Sequence, residues 1–86
     1  MNVSKFLMYP VATEKAINMI SKSNTITYIV DTRSKKSDIK KEFEDIFKVK
    51  IEKIGIMRSP QNYKKAFIKL DKAYKASDIA LKLKLV

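Results

Sequence analysis

Residues 24–57 read Asn24-Thr25-Ile26-Thr27-Tyr28-Ile29-Val30-Asp31-Thr32-Arg33-Ser34-Lys35-Lys36-Ser37-Asp38-Ile39-Lys40-Lys41-Glu42-Phe43-Glu44-Asp45-Ile46-Phe47-Lys48-Val49-Lys50-Ile51-Glu52-Lys53-Ile54-Gly55-Ile56-Met57, and the hydrophobic period changes twice within them. From Thr25 to Asp31 the residues Ile26, Tyr28 and Val30 share one face and Thr25, Thr27 and Asp31 the other. That alternation predicts a half-buried strand, broken only by Ile29. From Ser37 to Phe47 the apolar positions Ile39, Phe43, Ile46 and Phe47 recur at helical spacing, while Lys40, Lys41, Glu42, Glu44 and Asp45 occupy the remaining, solvated faces. Val49-Lys50-Ile51 returns to alternation almost without a loop. The segment therefore reads strand, helix, strand, with the right-handed connection such units adopt.

Working outward, Phe6-Leu7-Met8-Tyr9 is a short apolar run halted by Pro10, which lacks the ladder donor, and so reads as a brief edge strand or anchored arm. Thr13 caps a helix running to Ser21, with Glu14 near the positive end of its dipole and Ala16, Ile17 and Ile20 turned inward. Ser23-Asn24 makes the turn into the central strand, and either Ser34 or Ser37 caps the central helix. After Ile51 the alternation slips by one residue, which predicts a bulge in that strand around Gly55, the only glycine. Arg58 to Asn62 form a turn, after which Ala66, Ile68 and Leu70 alternate with Phe67 and Lys69 in a strand that pairs with its predecessor as a hairpin. Ser77 or Asp78 starts a closing helix with Ile79, Leu83 and Val86 on one stripe.

This order of elements predicts an α+β fold, a two- or three-layer sandwich of a small antiparallel or mixed sheet with helices packed on it. A hairpin strand inserted between the two strands of the central crossover gives a split β-α-β core. Residues 1–86 are expected to form one domain, since no repeat or low-complexity linker divides them. A chain of 86 residues hides only about 60–65% of its unfolded surface, so part of the working stability is expected from a partner.

Composition narrows the chemistry. The chain has no cysteine and no histidine, which removes the thiol nucleophile, the Cys-based zinc site and the commonest general base. It also has no Gly-rich phosphate loop and no metal-spaced ligands, so no catalytic residue, metal or cofactor is expected, and no small-molecule substrate. No apolar run approaches the roughly 18 residues that span a bilayer, and the N-terminus lacks a signal peptide's apolar region. Membrane insertion is not expected and the cytosol is the default compartment.

Nineteen Lys and Arg against nine Asp and Glu leave a net charge of +10. On so small a domain that is the electrostatic footprint of a polyanion binder, nucleic acid foremost. The competing reading, a lysine-rich surface adapted to heat or salt, sits poorly with so few balancing acids. The cations chosen as RNA contacts are Lys15, Lys35, Lys36, Lys50, Arg58, Lys64 and Lys65. Lysine is a mobile point charge suited to phosphate, so these supply affinity and orientation more than base selection. Tyr9 and Tyr63 flank turns and are candidates for base stacking, against the plainer role of covering the core rim. Tyr28, Phe43 and Phe47 lie in apolar stripes and are assigned to the core. An RNA-recognition sheet with a Lys/Arg-Gly-Phe pattern is not indicated, because Lys65-Ala66-Phe67-Ile68 lacks the glycine.

One family shares these features in order. Pro10-Val11-Ala12-Thr13-Glu14-Lys15 followed by Ser23-Asn24-Thr25-Ile26, then Ile39-Lys40, Ile46-Phe47-Lys48-Val49-Lys50-Ile51 and Lys64-Lys65-Ala66-Phe67-Ile68-Lys69-Leu70 resembles the universal large-subunit ribosomal protein family numbered twenty-three. The resemblance implies a structural protein that binds large-subunit ribosomal RNA beside the exit of the nascent-peptide tunnel. It implies a neighbour, the ribosomal protein of the twenty-nine family, to which an uncovered edge at Phe6 to Tyr9 would be suited. It also implies a shared docking platform for chaperones, signal recognition particle and translocon, with Glu14 as the docking acid.

Two features depart from bacterial members. Only about Arg58 to Tyr63 separate the hairpin strands, too few to reach into the tunnel, and Lys48 stands where bacterial members can carry an acid. The Ala76-Ser77-Asp78-Ile79-Ala80 helix and the lack of a long basic N-terminal extension point to the archaeal type. The rival account is a small, non-ribosomal architectural protein that binds nucleic acid by charge alone.

Overall fold

A computed structural model describes residues 5–85. The elements are β1 (Leu7–Pro10), α1 (Glu14–Ser23), β2 (Thr25–Val30), α2 (Lys36–Phe47), β3 (Ile51–Arg58), β4 (Lys64–Leu70) and α3 (Ala76–Lys82). The four strands lie in the order β1-β2-β4-β3 and every neighbouring pair is antiparallel. Because β2 and β3 both run against β4, they are parallel to one another, and α2 carries the chain between them. This is the split β-α-β arrangement that the change of period predicts.

Register assigns the two faces. Ile26 opposes Ile68, which opposes Ile54; Tyr28 opposes Ala66, which opposes Ile56. These residues make the first face, and Ile39 and Phe43 of α2, both fully buried, pack into the same core. The Phe43 ring meets Tyr28 edge-on with centroids 6.1 Å apart and touches the half-buried Phe47 at 4.5 Å. Such aromatic pairs add about 0.5–1.5 kcal/mol to the burial itself.

The opposite face carries Thr27, Ile29, Lys65, Phe67, Lys69, Lys53 and Met57. Here β2 departs from the half-buried strand read in the sequence: all six of its residues are buried. The cause is α1, whose Ala16 is buried and whose Lys15 and Met19 line one groove with Thr27 and Phe67. The helix covers the β2 side of this face and leaves the β4–β3 side open, with Lys53 and Lys69 exposed.

Several local expectations are corrected. The bulge in β3 falls between Ile51 and Lys53, whereas Gly55 pairs regularly with Phe67. The extra residue is therefore Glu52, a polar side chain that tolerates exposure. The edge strand β1 has its own irregularity between Leu7 and Tyr9, which leaves Met8 outside the pairing and blunts the free edge. Thr13 does cap α1, its Oγ1 accepting the Ala16 amide at 3.2 Å, but the helix runs on to Ser23. Neither Ser34 nor Ser37 caps α2. Lys35 holds that position and its amide donates to Asp38 at 3.1 Å, while the Ser34 hydroxyl turns back to the Asp31 carbonyl at 2.6 Å. Val49 and Lys50 belong to the α2–β3 connection, since the helix ends on Lys48 in the left-handed conformation, φ 57°. The closing helix starts at Ala76, one residue before the expected serine, and the Val86 end of its stripe lies outside the described residues.

Of the acids read as a solvated helix face, Asp45 is exposed, whereas Glu42 and Glu44 are structural. One Glu42 oxygen accepts the amides of Phe6 and Leu7 at 2.8 and 3.0 Å, and the other accepts the Lys5 amide. Glu44 accepts the Ile51 amide at 2.8 Å. One carboxylate thus fastens β1 to α2 and the other fastens the start of β3.

Candidate nucleic-acid interface

Four exposed cations, Arg33, Lys35, Lys36 and Arg58, gather where two connections meet. Val30, Lys64 and Arg58 are aligned across the end of the sheet, so the β2–α2 loop and the β3–β4 turn sit side by side. The turn is short and self-supporting: Ser59 donates its amide to the Tyr63 carbonyl at 2.9 Å and its hydroxyl accepts the Gln61 amide at 3.1 Å. Asn62 supplies the left-handed residue, φ 65°, a conformation asparagine tolerates better than most side chains. A cavity of about 530 Å³ opens between the two connections, lined by Arg33, Arg58, Ser59, Asn62, Tyr63 and Lys64. Two guanidinium groups at one cavity suit the bidentate recognition of phosphate oxygens.

Lys64 itself is not at the surface. Only 6% exposed, it extends under the β2–α2 loop and its ammonium donates to the Ser34 carbonyl. Its position in β4 puts it on the same face as Ala66 and Ile68, and the side chain holds the loop that presents Arg33, Lys35 and Lys36. Lys35 and Lys36 are exposed at the start of α2.

The next residue, Lys65, points to the opposite face. Its Nζ lies 5.7 Å from the centroid of the half-buried Tyr63 ring, a cation–π contact worth about 0.5–1 kcal/mol at a partly exposed site. Lys65 also shares a groove of about 150 Å³ with Lys15 of α1, and Met19, Thr27, Met57 and Phe67 are among its walls. Tyr63 therefore stands between the hairpin cavity and the open sheet face. Lys53 and Lys69, paired across β3 and β4, extend the positive surface, and Tyr9 joins it from β1 opposite Ile29.

The structure thus brings together Arg58, Tyr63, Lys65 and Lys15 from the sequence candidates, with Lys35 and Lys36 alongside. It places Lys50 elsewhere: this residue is exposed at the opposite end of the sheet, where its carbonyl accepts the Asp71 amide at 3.0 Å. Glu14 is exposed in the first turn of α1. Sequence reasoning passed over Arg33, Lys53, Met57, Phe67 and Lys69. The signal for the β4 pair was present, since Phe67 and Lys69 alternate with the core positions, but it did not say that the face they share with Lys65 stays half uncovered. Among the described residues no group of three or more acidic side chains is placed to hold a metal ion, and no helix is long and apolar enough to cross a membrane.

A family model described as ribosomal protein L23 matches residues 5–82, almost everything described above. The chain belongs to the ribosomal protein L23 family. The protein named large ribosomal subunit protein uL23 of Methanothermobacter thermautotrophicus is 40% identical over 77 residues, covering 90% of each chain. The protein of the same name from Trypanosoma brucei brucei is 40% identical over 82 residues, covering 95% of this chain and 50% of its own. This chain thus spans half of the trypanosome relative and nearly all of the archaeal one. The ordered motifs around Thr13-Glu14-Lys15, α2 and β4 lie within the part matched by the L23 model.

Proposed function

We propose that this chain binds large-subunit ribosomal RNA through the hairpin cavity and the open half of the second sheet face, beside the exit of the nascent-peptide tunnel. As a member of the L23 family it is a structural, non-enzymatic protein of the large ribosomal subunit in the cytoplasm. The observation that carries the RNA reading is the continuity of charge and rings: Arg33 and Arg58, then Tyr63 under Lys65, then Lys15 beside Phe67. Cations alternating with aromatic surfaces supply phosphate contacts and stacking platforms together. The family resemblance supplies the rest of the reading: the protein of the twenty-nine family on the blunted β1 edge, and signal recognition particle, chaperones and translocon on the platform that Glu14 faces.

The test is sedimentation of a native cell extract through a sucrose gradient, with the chain quantified in each fraction. Co-migration with the large subunit after a moderate-salt wash is the expected result. Recovery at the top of the gradient or with the nucleoid would favour the architectural nucleic-acid binder. With isolated large-subunit RNA, neutralising six to ten phosphates predicts a loss of roughly 10³–10⁵ in affinity between 50 and 200 mM salt.

A further inference from the structure

We propose that the groove between α1 and the sheet is a docking site for a single unpaired nucleobase, with Phe67 as the stacking platform. This rests on the RNA reading above and adds to it a site that recognises a base instead of a backbone.

Phe67 lies on the open face, half-buried, and its neighbour across the pair is Gly55, the one residue that puts no side chain beside the ring. A Cβ built at Gly55 would sit 3.8 Å from the Phe67 Cβ and 3.9 Å from the ring, in ordinary contact. Backbone geometry does not call for glycine here, since Gly55 has no positive φ. Its effect is to leave the flank of the ring free. The walls are Met19 and Met57, unbranched polarizable side chains that adapt to a flat ligand, and Met57 is 41% exposed.

Lys15 and Lys65 are the groove's two cations, on opposite sides of it, placed for the phosphates flanking an extruded nucleotide. The floor includes Thr27, whose Oγ1 is the one buried side-chain polar atom without a hydrogen-bond partner among the described residues. A volume of about 150 Å³ is enough to admit one planar base. Together these features favour a base turned out of folded RNA over a protein segment, and recognition of splayed bases on aromatic rings is how proteins read unpaired RNA.

The experiment uses the full chain and deproteinised large-subunit RNA from the cells that make it, with three variants. Phe67→Leu keeps apolar bulk but removes the π-face, and an affinity loss of about 5- to 150-fold is expected. The slope of log affinity against log salt should stay unchanged. Phe67→Tyr keeps the ring and should bind like the parent. Lys15→Ala with Lys65→Ala should flatten the salt slope by about two contacts. Dimethyl sulfate probing should show at least one base protected by the parent and by Phe67→Tyr but open with Phe67→Leu. Parental binding by Phe67→Leu, equal losses in both Phe67 variants, or no base whose protection depends on residue 67 would each overturn the site. A parent chain with no salt-dependent RNA binding at all would instead bring down the functional reading beneath it.

Discussion

The backbone amide of Ala76 donates to the side-chain Oδ1 of Asn24 at 2.7 Å, across 52 residues of sequence. The same side chain donates from Nδ2 to the Tyr74 carbonyl at 2.9 Å and the Leu70 carbonyl at 3.3 Å. Asn24 also closes α1 in the left-handed conformation, φ 52°, with its amide on the Met19 carbonyl. One residue therefore ends the first helix and starts the last, where Lys75 offers no side-chain cap of its own. Replacement by glycine keeps the backbone and loses the side-chain bonds; replacement by alanine loses both. Asn24→Gly is expected to cost about 1–2 kcal/mol and Asn24→Ala about 1 kcal/mol more, read as urea midpoints. Equal midpoints for the two variants would contradict the division of labour.

Glu42 should act on one edge of the sheet alone. Its carboxylate accepts the amides of Lys5, Phe6 and Leu7, so Glu42→Ala removes the partners of three donors. Faster hydrogen exchange is expected at Phe6 and Leu7, with β2–β4 amides protected as before, and a stability loss of about 1–3 kcal/mol. Uniform acceleration across the sheet would show that β1 does not open separately.

Lys64 and Arg58 are opposite each other in the register and should behave in opposite ways. Lys64→Met keeps the buried stem but deprives the Ser34 carbonyl of its donor, for a destabilisation of about 1–3 kcal/mol with the RNA salt slope retained. Arg58→Ala, at an exposed position, should leave the thermal midpoint in place and lower the slope by about one phosphate contact. A fall in slope for Lys64→Met would mean that its ammonium reaches RNA after all.

Burial first, and the Glu42 carboxylate second, raise the Tyr28 phenol above its ordinary value of 10.0. The neutral form is thus favoured in the folded state, and ionisation of Tyr28 begins in the unfolded chain. Its contribution to stability is complete below pH 10 and declines as pH rises from there through the folded pKa. Alkaline unfolding of the parent should therefore be steeper above that pH than that of Tyr28→Phe. Parallel curves would rule out a buried phenol.

The C-cap of α2 offers a gain. Lys48 holds φ 57°, a conformation costly for a residue with a Cβ and natural for glycine, and its amide still bonds to the Glu44 carbonyl at 2.9 Å. Lys48→Gly is expected to raise stability by about 0.5–1 kcal/mol, checked by calorimetry. A lowered midpoint would show that the lysine side chain contributes more than the backbone strain removes.

Much of this protein was legible in its residues, because some signals are local. The passage from alternation around Ile26-Tyr28-Val30 to helical spacing around Ile39-Phe43-Phe47 and back reflects which face each residue can bury, and that decided the split β-α-β core. Thr13 as a cap, the short turn after Arg58 and the excess of cations needed only neighbours in sequence. The order of short motifs also pointed to the family that residues 5–82 match.

Other assignments depended on contacts that no local pattern encodes. The helix α1 folds over Thr25 and Thr27 and buries a side of β2 that composition had marked as wet. The closing helix is capped from Asn24, and Glu42 and Lys64 satisfy backbone groups 36 and 30 residues away. A charged side chain reads as solvated until a folded backbone presents it with an unpaired amide or carbonyl, and only then does burial become favourable. The sequence by itself determined the elements, the charge and the family. Tertiary packing alone decided which cations face outward and which hold the chain together, because that choice rests on hydrogen-bond partners far away along the chain.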